Sequence, residues 1–517
     1  MLTHIAGAKC IGIDAVRVTV EVEIDRGIGI HLVGLADVAV KESLLRTTTA
    51  LESLGFRIPG KKIVINLAPA DLRKNGSGYD VPIAIGIIKA SGQRDLPGAE
   101  KYIIMGELGL DGGIRGIPGA LPFTEMAMKE GFQGIILPLE SALEALEFHG
   151  TRVYGVSSLK DVIRILEEKE DSDDLLVWNT PESKLICEEP QYSTNDEPVD
   201  FADIIGQESA KRALEIAASG AHNLIFVGSP GSGKSSLAKA LPGILPPMTL
   251  EEATVTSKIY SIAGKGRSRF GLMRQRPFRA PHYSASMAAI VGGGNGDSII
   301  PGEVSLAQNG VLFTDELGQM PRAVIEALRG PLEDRKVTIS RLKAKVEYPA
   351  NFMLVAASNP CPCGWFGEGD RCNCTPTQRL NYLSKLSGPL MDRIDLQVWM
   401  RSIDAGRILN TAKAEPSSAV AERVLRAREI QKRRFEGESI FTNAEMGNRL
   451  IERYCPLSDE CRETMSLLMS KMGLSMRAYF RIIKVARTIA DLEGCPDIKA
   501  AHLYEAAAYR FLDKENY

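Results

Sequence analysis

A glycine-rich segment with a single lysine carries the clearest chemistry in this sequence. The pattern G-x-x-x-x-G-K-[ST] and its next position are formed by Gly228, Ser229, Pro230, Gly231, Ser232, Gly233, Lys234, Ser235 and Ser236. Backbone N–H groups of such a loop can surround a polyphosphate, Lys234 can neutralise its β and γ phosphates, and Ser235 can bind Mg²⁺. An apolar run before the loop predicts a strand, and the stretch after it predicts a helix. Because a chance glycine-rich turn rarely has this context, we predict a site for ATP and Mg²⁺.

Two more apolar runs end in polar residues that suit the same chemistry. Residues 311–314 precede Asp315 and Glu316, and residues 352–358 precede Asn359. In an open α/β sheet, ligands lie at the carboxyl ends of the strands, so we expect these side chains near the nucleotide. Asp315 suits a water-mediated Mg²⁺ contact, and Glu316 suits polarisation of the attacking water. Asn359 suits a hydrogen bond to the γ-phosphate or to that water; an Asn that caps a strand-to-loop turn is the alternative.

Four cysteines follow Asn359 within fourteen positions of each other. They are Cys361, Cys363, Cys372 and Cys374. Four thiolates could hold a structural Zn²⁺ in tetrahedral geometry. Because each C-x-C pair is tighter than the usual C-x₂₋₄-C spacing, reduced cysteines without a metal are the alternative. The close clustering favours zinc, which would stiffen the loop after Asn359.

Residues 336–348 predict a β-hairpin with basic side chains at its tip and on its returning arm. These side chains are Arg341, Lys343 and Lys345. They suit the phosphate backbone of DNA, with binding that depends on salt and not on sequence. The alternative is an edge hairpin whose lysines prevent aggregation.

Length and composition predict a multidomain cytoplasmic protein. The chain has 517 residues, 44% of them hydrophobic and 25% charged, which is too long for one core. No apolar run reaches the roughly 20 residues that span a bilayer, so we expect no membrane contact. The start lacks a secretory signal, and nine cysteines suit reduced thiols better than disulfides.

Acidic residues concentrate in one segment of the chain. Residues 167–200 contain twelve acidic residues and two lysines, a local charge of about −10; because the net charge is −3, the remainder carries about +7. A mildly basic remainder is compatible with nucleic acid. We predict a solvated linker here, with an acidic interaction tail as the alternative.

The linker divides the chain into parts with different patterns. Residues 1–166 mix strands with helices, including a half-buried strand at Val16–Ile24 and a helix at Asp37–Leu54. Residues 201–401 alternate strands and helices around the glycine-rich loop, which predicts a parallel sheet. Residues 402–517 have helical periodicity throughout. The predicted fold class is α/β, with a P-loop parallel-sheet domain and a C-terminal helical domain.

Long phrases of this sequence resemble the AAA+ ATPases of the magnesium-chelatase-like branch, and most closely the YifB/ComM family. The matching phrases lie at 276–286, 291–294, 301–306, 359–364, 391–395 and 486–492. They are far more specific than the phosphate loop alone. By this resemblance, Gly228 to Ser235 are Walker A, Asp315 with Glu316 are Walker B, and Asn359 is sensor 1. Residues 203–207 are similar to the adenine-side segment of the family.

The resemblance also implies roles for arginines near the helical part. Arg393 resembles the arginine finger that reaches the γ-phosphate of a neighbouring subunit, which implies a hexameric ring. Arg477 resembles sensor 2, with Arg481 as the alternative one helical turn further on. For each arginine, a surface salt bridge on a helix is the alternative. By the same resemblance, the hairpin 336–348 would point into the ring pore, and residues 292–296 would belong to a second pore insertion.

The first part of the chain resembles the Lon-protease-like domain of this family at 69–80 and 106–118. The peptidase uses a Ser–Lys dyad. Here a non-serine, around Tyr79, aligns with the nucleophile, although Ser77 is close, and no lysine occurs in the expected region before Lys129. A scaffold or nucleic-acid-binding role is therefore favoured over proteolysis.

The resemblance predicts an ATP-driven ring motor on single-stranded or branched DNA. It would be a branch-migration helicase in homologous recombination and natural transformation, with recombination proteins as further partners. The alternative is a chelatase-like or chaperone-like ATPase that remodels a protein partner.

Overall fold

The computed structural model describes residues 2–34, 37–169, 171–188, 199–266, 271–294, 299–341, 344–384, 388–402 and 414–513. Two larger sheets, three two-stranded ribbons, the helices packed around them and a set of C-terminal helices make up this part of the chain. Their arrangement confirms the predicted α/β class with a parallel sheet and a helical C-terminal region.

A mixed sheet forms the front part. Its described strands have the order β3-β4-β2-β1-β5-β8-β9, and a separate ribbon pairs β6 with β7. Their bounds are β1 Leu2–Ile11, β2 Asp14–Asp25, β3 Gly29–Val33, β4 Lys62–Ala68, β5 Tyr102–Ile104, β6 Glu107–Leu108, β7 Ile114–Arg115, β8 Gly134–Pro138 and β9 Arg152–Val156. In β2, Val18, Val20 and Val22 are buried while Arg17 and Glu23 are exposed, which confirms the half-buried strand.

Helices of the front part pack against its sheet or against neighbouring helical segments. They are α1 Val38–Ser53, α2 Asp80–Ala90, α3 Ala120–Lys129, α4 Leu139–Ala142, α5 Leu159–Glu167 and α6 Pro181–Glu188. Asp37 caps α1, because its carboxylate accepts a hydrogen bond from the Val40 N–H at 2.9 Å. The predicted helix at 37–54 is thus confirmed to within one residue at each end.

The first half of the predicted acidic linker is folded instead of solvated. Val177 is fully buried in the front core and Leu176 is nearly so, and Leu176 forms a bridge with Tyr154 of β9. The physical reason is an apolar run, 175–178, inside the acidic composition. Its burial attaches this segment to the front sheet despite the surrounding charge.

A parallel sheet forms the second part. The order of its described strands is β11-β14-β17-β10-β18, with all neighbours parallel. The bounds are β10 Leu224–Gly228, β11 Phe278–Arg279, β14 Val311–Thr314, β17 Met353–Ser358 and β18 Leu396–Met400; two ribbons pair β12 Gly292–Gly293 with β13 Ile300–Pro301, and β15 Lys336–Arg341 with β16 Ala344–Pro349. The strands are almost wholly buried, as expected of a parallel sheet with helices on both faces.

The helices of this part are α7 Glu208–Gly220, α8 Lys234–Ala240, α9 Leu250–Ile262, α10 Met287–Val291, α11 Glu303–Leu306, α12 Arg322–Ala327, α13 Arg329–Asp334, α14 Pro376–Leu383 and α15 Gly388–Met391. The C-terminal part contains α16 Ser417–Arg434, α17 Asn448–Tyr454, α18 Asp459–Met472, α19 Met476–Leu492 and α20 Ala500–Ala508. These helices share one core with α7 and the parallel sheet. Arg428 and Gln431 of α16 also donate hydrogen bonds to backbone carbonyls at the end of α7.

The front part is docked on α9 of the second part. Ile259 and Tyr260 belong to the front core. Lys258, only slightly exposed, donates to Asp14 at 2.9 Å and to Glu125 at 2.6 Å. Apolar burial therefore connects the two parts, together with ion pairs of the nearly buried Lys258 with the partly exposed Glu125 and the exposed Asp14. No helix within the described ranges is both long and apolar enough to cross a membrane.

Candidate nucleotide-binding site

The glycine-rich loop joins β10 to α8 at the carboxyl edge of the parallel sheet. Gly231 and Gly233 have φ values of +77° and +90°, which favour glycine because a side chain is strained there. Gly228 lies against β18, where a Cβ atom would approach the Met400 carbonyl oxygen to 2.3 Å. The glycine spacing thus follows from backbone turns and a close strand contact, and it leaves a loop that can face a phosphate.

Lys234 is folded back across this loop. Its Nζ donates to the carbonyl oxygens of Gly228 at 2.7 Å and Ser229 at 2.9 Å, and lies 3.4 Å from Oδ1 of Asn359. Burial lowers the pKa of Lys234, while the charges of Asp315 and Glu316 oppose that shift. A bound triphosphate would supply the negative charge that favours the protonated amine.

Ser235 and the two carboxylates meet at the same edge. The Ser235 Oγ donates to Oδ2 of Asp315 at 2.9 Å, and the other oxygen of Asp315 accepts from the Glu316 N–H at 2.9 Å. A hydroxyl next to a carboxylate suits Mg²⁺, which takes few protein ligands and keeps several waters. Glu316 has a φ of +50°, an uncommon conformation for a non-glycine residue that tends to occur at functional sites. The structure therefore assembles the predicted residues of the phosphate loop with Asp315, Glu316 and Asn359.

The segment predicted to lie beside the adenine reaches the same loop. Gln207 has a φ of +58°, and its Nε2 donates to the carbonyl oxygens of Ser232 at 3.0 Å and Arg401 at 2.8 Å. Gln207 thereby connects the phosphate loop with the end of β18.

The structure does not bring Arg393, Arg477 or Arg481 to the phosphate loop of the same chain. Arg393 precedes β18 at the amino edge of the sheet, whereas the phosphate loop follows β10, the neighbouring strand. A five-residue strand spans roughly 17 Å, so the two edges are well separated. Each arginine has a carboxylate partner: Arg393 with Glu333, Arg477 with Asp392 at 2.6 Å, and Arg481 with Asp395.

These arginines line a cleft of about 420 Å³ at the amino edge. Arg393 holds the pKa of Glu333 below its usual range. Burial raises the pKa of Asp395, but Arg481 and His222 outweigh this and hold it well below its ordinary value. The cleft thus carries charged guanidinium groups, and it lies at the amino edge of the sheet, opposite the carboxyl edge that holds the phosphate loop.

The four predicted cysteines form one cluster. The Sγ atoms of Cys361 and Cys363 are 3.4 Å apart, and that of Cys372 lies 3.8 Å from Cys361 and 3.7 Å from Cys363. Cys374 completes a group whose sulfur atoms all lie within 4.8 Å of one another. Ligands bound to Zn²⁺ at 2.3 Å in a tetrahedron are separated by about 3.8 Å. The cluster therefore fits a tetrahedral zinc site.

Sequence reasoning missed Glu368, which lies between the two cysteine pairs. Its Oε1 accepts hydrogen bonds from Ser229 Oγ at 3.0 Å and from the Ser402 N–H at 2.8 Å. No spacing rule connects Glu368 with residues 139 positions before it and 34 positions after it. Only the folded chain reveals this contact with the phosphate loop.

The predicted β-hairpin is confirmed by the antiparallel pairing of β15 and β16. Val337, Ile339 and Tyr348 are buried at its base, while Lys345 is exposed on the returning arm. Lys343 and the side chain of Arg341 lie outside the described residues.

The region that resembles the Lon protease does not contain a Ser–Lys pair at the expected place. The Ser77 hydroxyl donates to the Glu107 carboxylate, and Lys74 is buried with its amine donating to the Pro69 carbonyl oxygen. Tyr79 is buried, with its hydroxyl donating to the Ala8 carbonyl oxygen at 3.1 Å. Lys129 forms an ion pair with Glu125. Ser77 and the two lysines thus pair with other groups and not with one another.

A phosphate loop, catalytic-type carboxylates on a strand separated from it by β17, and a helical C-terminal part define an AAA+ ATPase. Comparison with known proteins agrees. Residues 200–408 match the family model for magnesium chelatase, subunit ChlI, residues 20–141 match subunit ChlI of Mg-chelatase, and residues 414–510 match the ChlI C-terminal model.

Relatives that align over nearly the whole chain identify the family within this class of ATPases. The chain is 43% identical to Competence protein ComM of Haemophilus influenzae over 502 residues, covering 96% of this chain and 95% of that protein. It is 41% identical to Uncharacterized protein YifB of Salmonella typhimurium over 508 residues, covering 98% and 96%. Similarity to the archaeal Lon protease of Methanocaldococcus jannaschii is weaker, 22% over 173 residues, covering 31% and 26%. The chain belongs to the YifB/ComM family of magnesium-chelatase-like AAA+ ATPases.

Proposed function

We propose that this protein is a ring-forming ATPase that moves or remodels DNA, acting as a branch-migration helicase in homologous recombination and natural transformation. The observation that carries the ATPase part is the convergence of Lys234, Ser235, Asp315, Glu316 and Asn359 at one sheet edge. The DNA part is supported by the exposed Lys345 on the returning arm of the hairpin and by similarity to a competence protein.

Each nucleotide-site residue has a role that follows from its position. Lys234 would neutralise the β and γ phosphates, and Ser235 and Asp315 would hold Mg²⁺ directly or through water. Glu316 would polarise the attacking water, and Asn359 would orient that water or the γ-phosphate. Bound Mg²⁺ supplies charge neutralisation of the transferring phosphoryl group.

We propose that neighbouring subunits share each nucleotide. Arg393, Arg477 and Arg481 lie at the edge of the sheet opposite the phosphate loop, so one chain would present these arginines to the phosphates bound by the next. Such a contact between different faces is heterologous and closes into a ring when the rotation permits. We propose a homohexamer as the closed form.

We also propose that the four clustered cysteines hold a structural Zn²⁺. This is supported by their sulfur–sulfur separations, which match a tetrahedral S₄ site. The cytoplasm is the location that fits this activity, since DNA and ATP are present and thiols stay reduced there.

The test is ATP hydrolysis with and without three-way and four-way DNA junctions, measured at several salt concentrations. We expect stimulation by DNA that decreases steeply as salt rises, because phosphate contacts release counterions. The triple change Arg341→Ala, Lys343→Ala and Lys345→Ala should remove this stimulation and spare basal hydrolysis. The matched control is Lys336→Ala at the base of the same hairpin, where the lysine pairs with Glu347.

Absence of any DNA effect on hydrolysis or binding would reject the DNA-motor proposal. A chelatase-like or chaperone-like remodeller of a protein partner would then be the better hypothesis. An unwinding assay on the same junctions with ATP separates translocation from simple binding.

A further inference from the structure

The loop that carries the four cysteines forms a wall of the nucleotide site. The first cysteine lies two residues after Asn359, and Gly364 lies against the phosphate loop. A Cβ atom on Gly364 would lie 2.9 Å from the Pro230 ring. Through Gly364, the cysteine-bearing loop thus lies directly against the segment that would cradle the phosphates.

Glu368 connects this loop with two other segments. Its carboxylate accepts a hydrogen bond from the hydroxyl of Ser229 in the phosphate loop. It also accepts hydrogen bonds from the N–H and the hydroxyl of Ser402, just after β18. The hydrogen bonds from Ser402 lower the pKa of Glu368, so the group is charged at neutral pH. One carboxylate therefore fixes the second residue of the phosphate loop relative to the end of the neighbouring strand.

The cysteine cluster is what closes the loop around Glu368. Between the two cysteine pairs, the regular structure in the described chain is one short 3₁₀ turn, Gly369–Arg371. Aromatic packing adds to it, since Phe366 meets Trp399 edge to face at 6.3 Å and Arg379 lies 4.2 Å above the Phe366 ring. Both ends of the loop meet at the four sulfur atoms, so a metal there would reduce the conformational freedom of everything between them.

We propose that the metal-closed loop positions the phosphate loop for nucleotide, and that Glu368 is the positioning residue which transmits this effect. The inference rests on the proposed zinc site and the proposed nucleotide site. It adds a functional link between them: metal at the cysteines raises the affinity for nucleotide through the contact of Glu368 with Ser229 and Ser402.

The first experiment leaves the cysteines intact. Full-length Glu368→Ala is compared with Asp370→Ala, which removes an exposed carboxylate from the same loop. Zinc content per chain is measured by mass spectrometry of the metal, and affinity is measured with an N-methylanthraniloyl derivative of ADP. We expect both variants to keep the zinc of the wild type, and Glu368→Ala to bind the nucleotide roughly tenfold more weakly, from the loss of hydrogen bonds to a charged group. Glu368→Gln should recover most of the affinity, because its amide oxygen can still accept from Ser229 and from the Ser402 N–H.

The second experiment removes the metal from the wild type and from Glu368→Ala with a thiol reagent, then restores the thiols with a reductant in the presence of a chelator. If the metal acts through Glu368, the affinity of the wild type falls to that of Glu368→Ala, while the variant changes little further. Coupled positions behave in this non-additive way. Circular dichroism verifies that the metal-free chains remain folded.

The outcomes separate the proposals. If each chain holds one zinc ion and Glu368→Ala binds nucleotide as tightly as Asp370→Ala, this inference is overturned. The zinc site would still be supported in that case. Absence of zinc from purified wild-type protein overturns both the zinc site and the metal-dependent link. Loss of nucleotide binding by Lys234→Ala alone verifies that the affinity assay reports the proposed site.

Discussion

Two inactive variants of this protein should restore activity to each other when mixed. The changes are Lys234→Ala, which removes the amine proposed to neutralise the phosphates, and Arg393→Ala, which removes the guanidinium at the opposite sheet edge. Arg393 and the phosphate loop of one chain lie at opposite ends of neighbouring parallel strands. Because an arginine side chain cannot bridge the roughly 17 Å between these ends, Arg393 can reach a phosphate only if another chain holds the nucleotide, as we propose.

The expected magnitude follows from counting interfaces. In rings assembled at random from equal amounts of the two variants, half of the nucleotide-side positions keep Lys234 and half of the arginine-side positions keep Arg393. About one interface in four then has both, so the mixture should reach roughly a quarter of wild-type turnover if interfaces act independently. Each variant alone should fall by about 10³-fold or more, as expected for loss of an arginine finger or of the phosphate-loop lysine.

The assay is steady-state ATP hydrolysis after the two proteins are mixed under conditions that allow subunit exchange. The control is a mixture of Lys234→Ala with the double variant, which contains no complete interface and should stay inactive. Turnover no higher than that of the separate variants, in rings shown to contain both chains, would refute the shared-site reasoning. So would Arg393→Ala that hydrolyses ATP as fast as the wild type.

Three further changes test other parts of the structure. Glu316→Gln should bind ATP but hydrolyse it about 10²- to 10⁴-fold more slowly, because the water loses its polarising carboxylate, and single-turnover hydrolysis measures this. Asp395→Asn should lower the free energy of unfolding by about 3–5 kcal/mol, since it leaves the Arg481 guanidinium without its nearly buried partner. Because the folded-state pKa of Asp395 is depressed, the stabilisation by its carboxylate is complete above the unfolded pKa of about 4 and is lost only as pH falls below that value. Denaturant melts should therefore show the same loss of unfolding free energy in Asp395→Asn at every pH from 5 to 8. A loss that becomes larger toward acid pH would contradict the ion pair. Lys258→Met should separate unfolding of the front part from that of the second part in calorimetry, because the junction loses its charge pair with Glu125; a single unchanged transition would show that apolar packing alone holds the junction.

Local patterns in the sequence were enough to locate much of the site. The order strand, glycine-rich loop and helix at 224–240 predicted the phosphate loop, and apolar runs that end in Asp315 and Asn359 predicted which side chains would join it. Both predictions depend on short-range rules: strands in a parallel sheet end at a common edge, and glycines occupy positive φ. The helical periodicity of the C-terminal part was also found in the structure, for example at Asp459–Met472 and Met476–Leu492, because helix formation depends on neighbouring residues.

Other features required the tertiary structure. The burial of Val177 within an acidic stretch depended on a distant strand that offered apolar surface, which composition does not record. The contact of Glu368 with Ser229 joins residues 139 positions apart, and no periodicity connects them. Sequence by itself determined the family and indicated which residues would bind a nucleotide, since both depend on residue type and local spacing. Only the fold decided that Arg393 lies at the sheet edge opposite its own phosphate loop, and that the cysteine loop lies against the phosphate loop. Both features depend on the order of the strands in the sheet and on the edge at which each loop begins.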